Sequence, residues 1–178
     1  MKKVLVPIIE GFEEAEMTCT VDVLRRAGLD VITAGIPATI IKGMHEMTFM
    51  ADRRMEELNI DKFDALVLVG GNPGYINLGK SKSVIETIKK FNSEKKLIAA
   101  ICASPSVLAK AGILENKKAT IYPGMEREIP RPRDGRVIVD GNIVTSQGVG
   151  TAIEFALKIV EILAGKQKSD DLKRSLVC

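Results

Sequence analysis

Short, almost continuously apolar runs recur along the chain at Val4 to Ile9, Val31 to Ala34, Ala65 to Val69 and Leu97 to Ile101. Amphipathic stretches lie among them, from about Glu13 to Arg26 and from Ser83 to Phe91. A strand that is apolar on successive residues, rather than on alternate ones, is covered on both faces. Alternation of such strands with helices is the repeating unit of a mostly parallel sheet. The pattern predicts an α/β architecture.

Local signals refine this outline. Gly28 follows Arg25 and Arg26, so a left-handed glycine cap and basic charge both favour a helix end there. Ala38 to Ala51 has β-branched residues before Lys42-Gly43 and again at Thr48, which predicts a hairpin outside the main sheet. Val137 to Val139 and Ile143 to Thr145 flank Asp140-Gly141-Asn142, a tight-turn signal between two strands. Gly150 to Ala164 reads as a late amphipathic helix. There is no internal repeat or low-complexity linker, and 178 residues suit a single domain spanning 1–178.

Composition removes several function classes. Hydrophobic residues at 46% and charged residues at 28% are the balance of a folded globular chain, not of a disordered one. The net charge of +3 arises from interleaved acids and bases, which gives no basis for nucleic-acid binding. Met1-Lys2-Lys3 and the apolar run after it are followed at once by Glu10, Glu13, Glu14 and Glu16, so the segment reads as a first strand and not a signal peptide. No apolar run approaches the roughly 20 residues that span a bilayer, so no membrane partner is expected. Cys19, Cys102 and Cys178 form no disulfide framework and suit a reducing cytoplasm.

The candidate chemistry begins where the apolar run Leu97-Ile98-Ala99-Ala100-Ile101 ends on Cys102-Ala103-Ser104-Pro105-Ser106. A thiol there stands at a strand-to-helix elbow, above the sheet edge, with the first amides of a helix starting immediately after it. Those amides and the helix dipole are expected to lower the thiol pKa. The bland alternative is a buried core thiol. Glu16 lies on the helix after the first strand, which begins at the same carboxyl edge of the sheet, where ligands bind in open α/β folds. A carboxyl group meeting the thiol there can be held protonated and later move a proton. Glu13 and Glu14 compete for that role, and a solvated helix residue is the plain alternative. Gly70-Gly71-Asn72-Pro73-Gly74 follows the third apolar run at the same edge. Its amides can form an oxyanion hole with that of Ala103, or the glycines can serve a simple chain reversal.

Other chemistries fit poorly. Asn72 breaks the spacing of a dinucleotide loop, and Ile153 occupies the last place of the pattern begun by Gly148-Val149-Gly150, so no bound cofactor is expected. His45, the single histidine, falls in the predicted hairpin, and a Cys-His-Glu hydrolase would have to recruit it from there. The three cysteines and His45 show no zinc-ligand spacing, and no metal site is expected.

Taken in order, Glu10-Gly11-Phe12-Glu13-Glu14-Ala15-Glu16, Val21-Asp22-Val23-Leu24-Arg25-Arg26-Ala27-Gly28, Gly70-Gly71-Asn72, Ala99-Ala100-Ile101-Cys102-Ala103 and Thr145-Ser146-Gln147-Gly148-Val149-Gly150-Thr151 resemble the ThiJ/PfpI superfamily, in the branch of the Parkinson-disease-associated protein and its bacterial relatives. The resemblance covers nearly the whole chain. It implies a flavodoxin-like three-layer sandwich and a homodimer, with Cys102 as the reactive thiol, Glu16 as its protonated partner, and Gly71 and Ala103 as backbone donors. It also implies cofactor-independent action on a small carbonyl substrate such as methylglyoxal, of glyoxalase or deglycase type, or a stress-protective or chaperone-like role through oxidation of Cys102. A small amide or ester hydrolase is the third expectation.

Two positions depart from the family pattern: Tyr122 stands where close relatives commonly carry a histidine, and Gln147 where an arginine is common. Tyrosine donates a hydrogen bond but is a poor base near neutral pH, so Tyr122 and His45 are only accessory candidates. The protease branch carries a histidine directly after the cysteine. Ala103 occupies that place here, which disfavours peptidase activity.

Overall fold

The computed structural model describes residues 1–178. The predicted strands form β1 (Lys3–Ile9), β2 (Asp30–Ile36), β6 (Ala65–Leu68) and β7 (Leu97–Ile101). The hairpin expected between Ala38 and Ala51 is β3 (Ile40–Lys42) with β4 (Thr48–Met50), separate from the main sheet, and β5 (Arg53–Arg54) is a short edge strand. The Asp140-Gly141-Asn142 turn joins β8 (Val137–Asp140) to β9 (Ile143–Ser146), the one antiparallel pair in the main sheet. The seven-stranded sheet runs in the order β5-β2-β1-β6-β7-β9-β8.

Helices cover both faces, giving the helix–sheet–helix layers expected of a flavodoxin-like fold. On one face α1 (Glu14–Arg26), α5 (Ala152–Ala164) and α6 (Lys166–Ser175) bury Met17, Leu24, Phe155 and Leu172 against Val4, Val6 and Ile8. On the other, α2 (Gly74–Lys80), α3 (Lys82–Ser93) and α4 (Pro105–Lys110) bury Leu78, Ile88, Phe91 and Leu108 against Leu5, Leu66 and Leu68. Successive residues of a strand point to opposite faces, so Val4 and Leu5 belong to different cores and the strand must be apolar at both.

Gly28 ends α1 as anticipated. At φ +82° it donates its N–H to Arg25, and Leu29 donates to Leu24, the paired bonds of a Schellman end. One expectation needs correction. The helix after Cys102 does not begin at once, because Ala103 and Ser104 form a turn and α4 starts at Pro105. Proline suits that first helical position, where its missing N–H costs no internal bond.

Candidate active site

The carboxyl ends of β1, β6, β7 and β9 converge on one cleft of about 800 Å³. Its lining includes Glu13, Glu16, Gly71, Cys102, Tyr122 and Gln147, with Met44 and His45 from the hairpin turn. The fold therefore brings Cys102, Glu16, Gly71, Ala103, Tyr122 and His45 to the same opening, whereas Glu14, a competing candidate for the acid, is not part of its lining.

Cys102 is held in a strained conformation. Its φ of 64° lies in the left-handed region, which costs a non-glycine residue roughly 1–2 kcal/mol. Bonds on both sides retain it: its N–H donates to the Ser146 carbonyl at 3.0 Å, and its own carbonyl accepts from the Tyr122 N–H at 2.8 Å. Buried Ser104 fastens the following turn by donating its hydroxyl to the Val69 carbonyl at 2.6 Å. These contacts set a half-buried thiol over the end of the sheet.

Glu16 is fully buried beside it. Its Oε2 accepts from the Gly70 N–H at 2.8 Å, whereas its Oε1 is buried with no hydrogen-bond partner. The closeness of acid and thiol is measured by Gly70, where an added Cβ would sit 3.0 Å from Glu16 Oε2, 3.0 Å from Cys102 Sγ and 2.7 Å from Cys102 Cβ. Only glycine leaves room for both groups. Gly71 meets a different demand: φ is +98°, and a side chain there would strike the backbone of Gly11 and Glu13.

Burial raises the Glu16 pKa from its ordinary 4.5 to about 7, although the Gly70 N–H and the neighbouring thiol pull it partly back. The expected lowering of the thiol pKa is overturned. Burial first, and then the negative charge on Glu16, push Cys102 up to about 12, and the opposing amides of Ala103 and Gly71 do not outweigh them. A dry site that favours one negative charge resists two. Protonating Glu16 removes only the second of these causes and leaves burial in place, so the pair accepts one negative charge far more readily than two.

The remaining candidates sit at the rim. The Tyr122 side chain is half exposed and packs near Gly148, 3.5 Å from where a Cβ of that glycine would lie. His45 lies in the β3–β4 turn as expected, but its Nδ1 faces Glu14 Oε2 at 2.8 Å and Glu13 Oε2 at 3.6 Å. Sequence spacing missed this grouping because His45 and Glu14 are 31 positions apart. It also missed the steric role of Gly70, for which the only signal was the glycine pair itself. Arg136, another lining residue, is engaged elsewhere, donating to Glu154 Oε2 and to the Gly150 carbonyl.

Residues 2–162 match the model of the DJ-1/PfpI family. The chain belongs to that family. It is 41% identical to protein dj-1beta of Drosophila melanogaster, across 99% of this chain and 97% of that protein. The crystal structure of the fly protein superposes with a TM-score of 0.95, again covering 99% and 97% of the two chains. A structure of oxidized Toxoplasma gondii DJ-1, 36% identical, gives 0.96 over 99% of this chain and 98% of the other. A Pyrococcus abyssi protein named as a deglycase is 34% identical, over 90% of this chain and 99% of its own length. The branch indicated by the motifs, that of DJ-1, is the branch these relatives represent.

Proposed function

We propose that the protein converts reactive α-oxoaldehydes such as methylglyoxal to 2-hydroxy acids through Cys102, without a cofactor. The observation that carries this reading is the buried pair of Glu16 and Cys102 over Gly70, a nucleophile and a proton carrier that favour a single shared negative charge. Glu16 takes the thiol proton as sulfur attacks the aldehyde carbon. A C–S bond forms, the carbonyl pair moves to oxygen, and the amides of Gly71 and Ala103 steady that oxyanion until the proton reaches it. The ionised Glu16 then removes the proton from the former aldehyde carbon, giving an enediolate, and delivers it to the adjacent carbon, while the hydroxyl proton of the hemithioacetal passes to the former ketone oxygen. The hemithioacetal becomes the thioester of a 2-hydroxy acid. Water cleaves the thioester, releasing the acid and restoring the thiol, so the sum is aldehyde plus water with no outside oxidant.

The name of the Pyrococcus relative supports carbonyl chemistry of this kind. Tyr122 carries no step, because a phenol is a weak base near neutral pH. A second reading, a protective protein whose Cys102 is oxidised to sulfinate, draws on the oxidised state of the Toxoplasma relative and on the unpartnered Glu16 Oε1, which in a neutral acid donates to such an oxyanion. The hydrolase reading is weaker, since the Nδ1 of the only histidine is taken by Glu14. A homodimer and a cytoplasmic location remain part of this proposal. No helix is long and apolar enough to cross a membrane.

The test is methylglyoxal consumption with lactate quantified, in chelator-treated buffer, for wild type and Cys102→Ser. Lactate formed by wild type alone supports the reading. Equal turnover by the variant overturns the mechanism, and no turnover by either transfers the site to the redox role.

A further inference from the structure

We propose that Glu13, Glu14 and His45 form a binding site for a divalent transition-metal ion, represented by Zn²⁺, at the mouth of the cleft. One ligand atom from each residue falls in a group whose members all lie within 4.8 Å of one another. His45 Nδ1 is 2.8 Å from Glu14 Oε2 and 3.6 Å from Glu13 Oε2. Bonds of about 2.0–2.1 Å from a tetrahedral zinc place its ligand atoms about 3.3 Å apart, so small rotations of these side chains accommodate the ion.

Two features separate this group from an ordinary surface ion pair. Both glutamates are more than nine-tenths buried, at 7% and 4% exposure, while the imidazole stands at the opening. Glu13 is also only half satisfied: its Oε1 accepts from the Ala15 N–H at 3.2 Å, but its Oε2 faces the ring at 3.6 Å, beyond hydrogen-bond length. That oxygen belongs to a side chain only 9% exposed, takes no hydrogen bond from the protein and is turned to a second carboxylate and an imidazole, an arrangement in which a cation can be held by all three.

The hairpin fixes the ligands in place. Gly11 donates its N–H to Lys42, Met44 donates to Phe12, and the His45 N–H donates to Glu14 Oε1 at 2.7 Å. Gly43 permits this close seating, because a Cβ there would lie 2.2 Å from Glu14 Oε1. An imidazole and two carboxylates suit zinc better than magnesium or calcium, which favour more numerous oxygen ligands. Three protein ligands leave a coordination position open, and Glu13 and His45 both line the cleft that holds Cys102. A carbonyl or carboxylate oxygen of a cleft ligand is the group such a position takes. The Cys102 chemistry proposed above does not depend on this site.

The experiment is titration of chelator-stripped protein with Zn²⁺ by calorimetry at neutral pH, for wild type, Cys102→Ser, His45→Ala and Glu13→Gln. Cobalt spectra of wild type and Cys102→Ser accompany it. The expected result is one ion per chain in wild type and Cys102→Ser, affinity at least tenfold weaker in His45→Ala and Glu13→Gln, and a cobalt spectrum without a thiolate charge-transfer band. Loss of binding in Cys102→Ser with a thiolate band in wild type would put the metal on the cysteine and overturn the proposal. Equal binding in all four proteins, or none in wild type, overturns it as well. The His45 side chain is 62% exposed, its main-chain N–H keeps its bond to Glu14 Oε1 in the alanine variant, and Gln can still accept from Ala15, so both variants retain the contacts that seat the hairpin.

Discussion

The two ends of α1 obey the same electrostatic rule and do different work. Acids in the first turn and bases in the last both complement the helix dipole, as Glu14 and Glu16 do at one end and Arg25 and Arg26 at the other. At the basic end the charges meet water: Arg26 pairs with Asp22, and Arg25 reaches Asp52 and the Val31 carbonyl from half-exposed positions. At the acidic end Glu13, Glu14 and Glu16 are buried under the hairpin and the loops after β6 and β7. Solvent absorbs the charge at one end, and at the other the protein must neutralise, share or coordinate it. Burial, not residue type, separates a solvated helix end from a reactive one.

Glu16→Gln breaks the comparison most severely. Removing a positioned proton carrier typically costs 10²–10⁴-fold in turnover, which steady-state lactate formation measures. Its effect on stability also has a definite sign. Glu16 has a folded pKa of about 7 against an ordinary 4.5, so between those values the folded state holds the proton more tightly. The stability it contributes is complete below about pH 4.5 and is lost as pH rises through 7, amounting to about 3 kcal/mol. Denaturant unfolding at pH 5 and pH 8 should therefore show Glu16→Gln gaining on wild type by up to about 3 kcal/mol at the higher pH. A constant difference between the two proteins would mean that Glu16 titrates normally in the fold.

Gly70→Ala comes next. The new methyl group would press on Cys102 and Glu16 together, and overpacking of this kind costs about 1–3 kcal/mol. Turnover should fall with stability, because the atoms displaced are those of the site. Gly28→Ala is the matched control at the other end of α1. Nothing lies within 4 Å of its Cβ position, so the whole penalty is the left-handed backbone at φ +82°, about 1 kcal/mol, with kinetics unchanged. Thermal unfolding and lactate assays on the two variants separate crowding from backbone strain.

The same contrast explains what could be read in the sequence. The parallel strands were legible because both faces are covered, leaving unbroken apolar runs such as Ala65 to Leu68. The elbow was legible because Cys102 ends such a run. By contrast, α6 buries only Ser169 and Leu172, too sparse a pattern to announce a helix, and α4 is only six residues long. The direction of the Cys102 shift was hidden for another reason. Two amides near the sulfur could be anticipated from the turn, but the outcome depends on how dry the site is and on the charge of a glutamate 86 positions earlier in the chain. The Glu13, Glu14 and His45 group depends likewise on the hairpin folding back over α1, which local periodicity does not encode.

Arg26→Ala provides the smallest effect and the sharpest control on the exposed end. Arg26 Nε lies 2.7 Å from Asp22 Oδ2 one helical turn earlier, in good geometry, yet the two side chains are 54% and 52% exposed. Water competes for both charges, and exposed pairs at this spacing are worth about 0.3–0.5 kcal/mol. Loss of a favourable charge near the helix C-terminus adds a few tenths, which salt screens. Unfolding at low and high ionic strength should therefore show a loss below about 1 kcal/mol that shrinks with salt, and lactate formation should not change. A larger, salt-insensitive loss would show that the basic end carries a buried charge as the acidic end does, and the contrast between the two ends of α1 would fail.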